Sequence, residues 1–212
     1  MNHNHLADIS HFEDTAAVLT DGDTMGVGNG NDNSNDLVVS FADGLVSQAN
    51  FAAIEALYQP ATIGNILGKV VTYLQQHPAI AIDSPLATHL FDKPLSLEVY
   101  VTEPIEAQAI NLEARGKDYA TNILSYPCEL PSSVLDLLPA LPLGELVICH
   151  AVVANQAAEQ GKSVSEHLTH LLVHGILHVL GFDHELGQAQ QDEMERIEIA
   201  VLASLSIANP YE

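Results

Sequence analysis

Positive charge is what this chain has least of. Six Lys and Arg stand against 28 Asp and Glu in 212 residues, leaving a formal net charge of −22 at pH 7. Contacts from Lys and Arg to phosphate normally dominate affinity for nucleic acid, so a broad basic binding face is excluded. A local one is not, because exposed charges are screened beyond about 8–10 Å at ordinary salt and a small pocket on an acidic body can still be positive. Cysteine is nearly as scarce. Cys128 and Cys149 both lie in apolar, strand-like runs and lack CxxC spacing, which argues for buried reduced thiols and against a disulfide or a thiolate zinc site. No stretch approaches the roughly 20 apolar residues that a membrane-spanning helix needs, and no basic-then-apolar signal segment opens the sequence. The expectation is a soluble, cytoplasmic protein without membrane contact.

What is present is enough apolar material, 47% of residues, for one substantial core with an extension. Residues 1 to about 36 form that extension: they are polar and include the run Gly26 to Asp36, too poor in apolar side chains to offset ordering entropy, so mobility is expected. His3, His5 and His11 read as part of a solvated tail. From 37 onward the pattern is that of one domain. Strands are expected at Leu37–Ala42, Leu95–Thr102, Asn122–Cys128 and Leu146–Cys149. Helices are expected at Asn50–Tyr58, Ile63–Gln76, Pro104–Ala114, Ala151–Gln160, Ser165–Leu180 and Gln188–Leu205. Residues 79–92 form an insertion without a clear pattern, and 127–142 reads as loop. The fold class is α+β: a sheet of about four strands covered by helices.

The chemistry is concentrated in His174-Gly-Ile-Leu-His178-Val-Leu-Gly-Phe-Asp-His184. Residues four apart stack on one helix face, and Gly181 lets the chain leave the helix so that the next turn can return His184 to the same point. Three imidazoles leave one position of a tetrahedral zinc open, the arrangement of catalytic rather than structural sites, where bound water ionises near neutral pH. Zinc proteases of the HExxH type carry a Glu after the first His as general base, but here that position is Gly175, which favours phosphodiester over peptide cleavage. His170, one turn before His174, is a candidate fourth ligand or a partner of a ligand. Asp183 is a candidate for orienting an imidazole or for capping the turn. The Glu-rich terminal helix around Glu193, Glu195 and Glu198 reads as a solvated face.

A cation to complement the metal has to come from six residues, and two of them stand together in Glu113-Ala-Arg115-Gly-Lys117-Asp118. A guanidinium suits a two-pronged grip on phosphate and can stabilise a phosphoryl transition state; the plain alternative is a solvated turn between helix and strand.

Two stretches resemble a known family. HGxLHxxGxDH, matched at His174, Gly175, Leu177, His178, Gly181, Asp183 and His184, is similar to the signature of the YbeY endoribonucleases. ARGKDYATNILSYP resembles the RxKDxPTNVLSFP stretch of the same family, with Tyr119-Ala120 replacing its Lys-Pro. The resemblance implies a metal-dependent, single-strand-specific endoribonuclease in 16S rRNA 3′ end maturation and ribosome quality control. It implies one zinc per chain on His174, His178 and His184, with Arg115 and His174 as catalytic residues. The implied partners are single-stranded rRNA and the small ribosomal subunit or a basic ribosomal protein. Two other readings stay open: an assembly factor whose zinc only staples its helices, and a zinc hydrolase of a small substrate.

Overall fold

The computed structural model describes residues 35–212, so the expectations for 1–34 lie outside the described residues. The elements begin with strand β1 (Asp36–Phe41), the short helices α1 (Asp43–Val46) and α2 (Phe51–Glu55), and helix α3 (Pro60–Gln76). Strand β2 (Leu95–Thr102), helix α4 (Pro104–Arg115), strand β3 (Ile123–Pro127) and the short helix α5 (Ser132–Leu135) follow. Strand β4 (Leu141–Cys149) and helices α6 (His150–Glu159), α7 (Val164–Val179) and α8 (Gln188–Ser204) complete the chain. The α+β class and the four-stranded sheet are as expected.

The sheet runs in the order β1-β2-β4-β3, with β1, β2 and β4 parallel and β3 antiparallel at the edge. The period-two alternation of β2 decides which side is core. Leu95, Leu97, Val99 and Val101 are buried while Glu98 is exposed. The buried side packs with Ile63, Leu67 and Val70 of α3, Leu172, Ile176 and Val179 of α7, and Ile197 and Val201 of α8. On the other side α4 is tied to the sheet through Glu106, which accepts from the Tyr100 hydroxyl at 2.8 Å and from Thr102.

Three local expectations are corrected. β4 is nine residues long and begins at Leu141, not at Leu146. Pro142 closes the stretch expected as loop, yet the strand accommodates it and Gly144 through a register shift opposite Ser96/Leu97. Gly144 has φ 128°, and a Cβ there would meet the Tyr126 carbonyl oxygen at 2.0 Å. Helix α7 is capped by Ser163 rather than Ser165: Ser163 Oγ accepts from Glu166 N at 3.2 Å and Glu166 Oε2 accepts from Ser163 N at 2.9 Å, a complete capping box. The insertion 79–92 holds a short 3-10 turn, Pro85–Thr88, whose Leu86 is fully buried. Cys149 is buried as expected, Cys128 only partly, and both are free thiols.

Candidate metal centre and its cleft

The centre is built on the C-terminal half of α7. His174 and His178 project from one face, and the helix then ends in a Schellman motif, with Phe182 N donating to Leu177 O and Gly181 N to His178 O, both at 3.0 Å. Gly181, at φ 99°, provides the left-handed residue this closure needs. Asp183 then caps the 3-10 turn His184–Leu186 by accepting from Glu185 N at 2.8 Å. That turn returns His184 to the other two rings. One ligand nitrogen from each of His174, His178 and His184 lies within 4.8 Å of the others. Ring centroids are 4.6 Å apart for His174 and His178, 5.3 Å for His174 and His184, and 5.1 Å for His178 and His184.

The hydrogen bonding of His174 and the burial of His178 suit a cation. His174 Nδ1 lies 2.8 Å from Glu198 Oε1; donation there turns the lone pair of Nε2 toward His178 Nε2, 3.1 Å away. Burial, reinforced by the charges of His174 and His184, lowers His178 to about 4, so its ring is neutral at pH 7 and free to ligate. The Nε2 atoms of His174 and His178 facing each other, with His184 alongside, fit a borderline-soft divalent ion.

Glu198 is the residue that sequence reasoning missed. It is 1% exposed, not solvated, and accepts from His174, from His170 Nε2 at 3.1 Å and from the Tyr211 hydroxyl. Burial alone would raise its pKa; the hydrogen bonds from His170, His174 and Tyr211 outweigh that and hold it at about 2. Its spacing with Met194, Ile197 and Val201 puts it on the apolar face of α8, the signal that separates it from its acidic neighbours. Nothing in the sequence pointed to Tyr211. His170 therefore lies against the carboxylate and is not a member of the ligand group. Asp183 serves the turn.

Arg115 is the last residue of α4 and lines a cleft of about 280 Å³ together with Thr121, Ser125 and the three His. It forms no hydrogen bond or ion pair among the described residues. Lys117, two residues on, is exposed and does not line this cleft. Asp183 and Glu185 also line it, so the guanidinium works beside acidic neighbours. The structure thus brings Arg115 and the three His into one cleft and leaves Lys117 outside it.

A family model described as "Endoribonuclease YbeY" matches residues 69–206, well over half of the chain. The chain belongs to the YbeY family. Proteins named endoribonuclease YbeY from Psychrobacter arcticus and Psychrobacter cryohalolentis are each 64% identical, over 120 and 115 residues. These alignments cover 57% and 54% of this chain, and 58% and 74% of the respective relatives. The match therefore spans less than two thirds of the first relative's length. One from Acinetobacter baumannii is 53% identical over 107 residues, covering 50% of this chain and 68% of its own. A solution structure from Thermotoga maritima matches 80% of this chain and 91% of its own at 18% identity with a TM-score of 0.43.

For a YbeY chain the structure gives Gly175 a second meaning. A Cβ at this position would lie 2.7 Å from Ile123 Cδ1 and 2.9 Å from Leu146 Cδ2, so α7 rests directly on β3 and β4 there. The position that holds the base in HExxH proteins faces the sheet here and has no room for a carboxylate. Among the described residues no helix is long and apolar enough to cross a membrane.

Proposed function

We propose that this YbeY chain is a zinc-dependent endoribonuclease that cleaves single-stranded RNA, acting in the cytoplasm on 16S rRNA during 3′ end maturation and ribosome quality control. The observation that carries this reading is the meeting of three convergent imidazoles and one guanidinium, unpaired among the described residues, in a single cleft. The relatives' shared name supports the same reaction class.

His174, His178 and His184 would hold one zinc per chain, and His174 links that ligand set to the buried Glu198. When bound, zinc supplies Lewis acidity at phosphate and brings water toward ionisation near neutral pH. Arg115 presents two N–H groups to the non-bridging oxygens of the scissile phosphate and stabilises the charge that grows on them as water adds and the P–O bond breaks. Thr121 and Ser125 offer neutral hydroxyl contacts along the strand. With a single cation lining the cleft, docking on the small ribosomal subunit, through its rRNA or a basic ribosomal protein, would supply the affinity that this surface lacks.

Single-turnover cleavage of a single-stranded rRNA fragment by zinc-loaded protein tests the reading. Arg115→Ala should keep its zinc and fold yet cleave about 10²-fold more slowly, the scale of losing one preorganised charge-stabilising donor. Arg115→Lys should recover part of the rate, because charge returns without the two-pronged geometry. Equal rates in all three proteins would remove Arg115 from the chemistry, and no cleavage by wild type would favour the assembly factor.

A further inference from the structure

A second cavity, of about 330 Å³, adjoins the histidines and is not lined by Arg115. It shares Asn122, Leu171, His174 and His184 with the first cleft, so the two form one continuous path past the centre. Its own walls are different. Leu171 and Met194 give it an apolar floor, the rings of His170 and Tyr211 meet edge to face at 5.7 Å, and Gln191 and Glu195 stand at the rim. No Lys or Arg lines it. A phosphate placed here would meet the Glu195 carboxylate with no Lys or Arg beside it, whereas a neutral, flat ring with hydrogen-bond donors would be satisfied.

We propose that this cavity is a nucleobase subsite and that Glu195 makes it selective for guanine; the proposal rests on the RNA-cleaving reading above. The size lies within the range of small-ligand pockets, at its lower end. The apolar floor and the two rings suit the faces of an unstacked base, the usual way single-stranded RNA is held. The edge is read by elimination among the carboxylates. Glu198 already accepts from three donors and is almost fully buried, so it is poorly placed to read a ligand edge. Glu195 accepts one bond, from Gln191 Nε2 to Oε1 at 2.7 Å, which fixes its orientation and leaves Oε2 free. The Gln191 side-chain oxygen is a further acceptor. Such a rim favours a base that shows donors side by side. Guanine does so through N1–H and its 2-amino group; adenine and cytosine pair a donor with an acceptor, and uracil sets one N–H between two carbonyls. A strand lying with a phosphate at Arg115 would thus insert a neighbouring guanine on the Glu195 side, and the guanidinium in one cavity and the carboxylate acceptor in the other would fix its direction across the centre.

The test uses free nucleosides, which carry no phosphate for Arg115, titrated into the full-length zinc-loaded protein with 13C-methyl methionine. Met194 reports directly on the cavity floor, and its signal is assigned by loss in Met194→Leu. Guanosine should shift that signal and bind about tenfold or more tightly than adenosine or uridine, the discrimination typical of a two-point base contact. Inosine, which lacks the 2-amino group, should fall between. Glu195→Gln should remove the preference while zinc content and circular dichroism stay as in wild type. Equal binding of all four nucleosides, an unmoved Met194 signal at saturating guanosine, or a preference that survives Glu195→Gln would each overturn the subsite. Cleavage of single-stranded RNA with one guanosine replaced by inosine separates the two readings. Guanosine selectivity without any cleavage would sink the nuclease and keep the subsite, and cleavage indifferent to guanosine in both arms would do the reverse.

Discussion

At the residue scale the metal centre divides into side chains whose role follows from spacing and side chains whose role follows from burial. His174, His178 and His184 belong to the first kind, since helix geometry and one turn after Gly181 bring them together whatever the rest of the chain does. Glu198 belongs to the second. In the sequence it is one acid among several, and only the packing of α8 against α7 makes it the acceptor for His174, His170 and Tyr211. Glu198→Gln keeps the shape but exchanges one oxygen for a donor, so it can no longer accept from all three. Zinc affinity, measured by competition with a chromogenic chelator, should fall about 10- to 100-fold, as for other partners of metal-bound His. Glu198→Ala, which strands three donors in the core, should in addition lower the unfolding midpoint of the zinc-free protein by the equivalent of about 3 kcal/mol. Affinity within twofold of wild type in a folded Glu198→Gln would show that His174 needs no such support.

At the scale of elements, strong local signals were legible and compensated ones were not. β2 matches its expected span because its alternation is uninterrupted, and α3, α7 and α8 match theirs to within about three residues. β4 was misread at its start because proline and glycine normally interrupt a strand, and only the neighbouring backbones show how the sheet absorbs them. Gly175 is a related case: its absent side chain was visible, the sheet beneath it was not. Gly175→Ala adds a methyl against Ile123 and Leu146, both buried, at an overpacking cost of about 1–3 kcal/mol, while the better helix propensity of alanine returns about 1. A net destabilisation of about 1 kcal/mol is expected from denaturant unfolding of the zinc-free protein. Ile123→Val removes the methyl group that the new Cβ would strike. The double variant should therefore be more stable than the sum of the two single changes, and strict additivity would show that the helix is not seated on Ile123.

At the scale of the whole molecule the charge balance was plain in the sequence, but the location of the six cations was not. Lys93 is spent on three backbone carbonyls, of Leu135, Asp136 and Leu138 at 2.7, 3.0 and 2.8 Å, where it ties down the α5 loop. Lys162 donates to Gln160 and the Pro210 carbonyl, and Arg196 lies 3.6 Å from Glu193. Among the described Lys and Arg residues only Arg115 lines the histidine cleft, on a body of net charge −22. Each phosphate neutralised on a single strand contributes about 0.7 to the salt slope, so one or two contacts plus the metal give a log–log slope between about one and three. A broad basic face would give six or more. Fluorescence anisotropy with a single-stranded RNA and zinc-loaded protein across 50–200 mM salt measures this slope. Binding should be weak at every salt concentration with a slope in that shallow range, and Arg115→Ala should lower the slope by about one, since a single counterion-releasing contact is lost. A steep slope that survives Arg115→Ala would mean that RNA is held by residues outside the cleft, and the route from acidic body to rRNA would then need no basic partner.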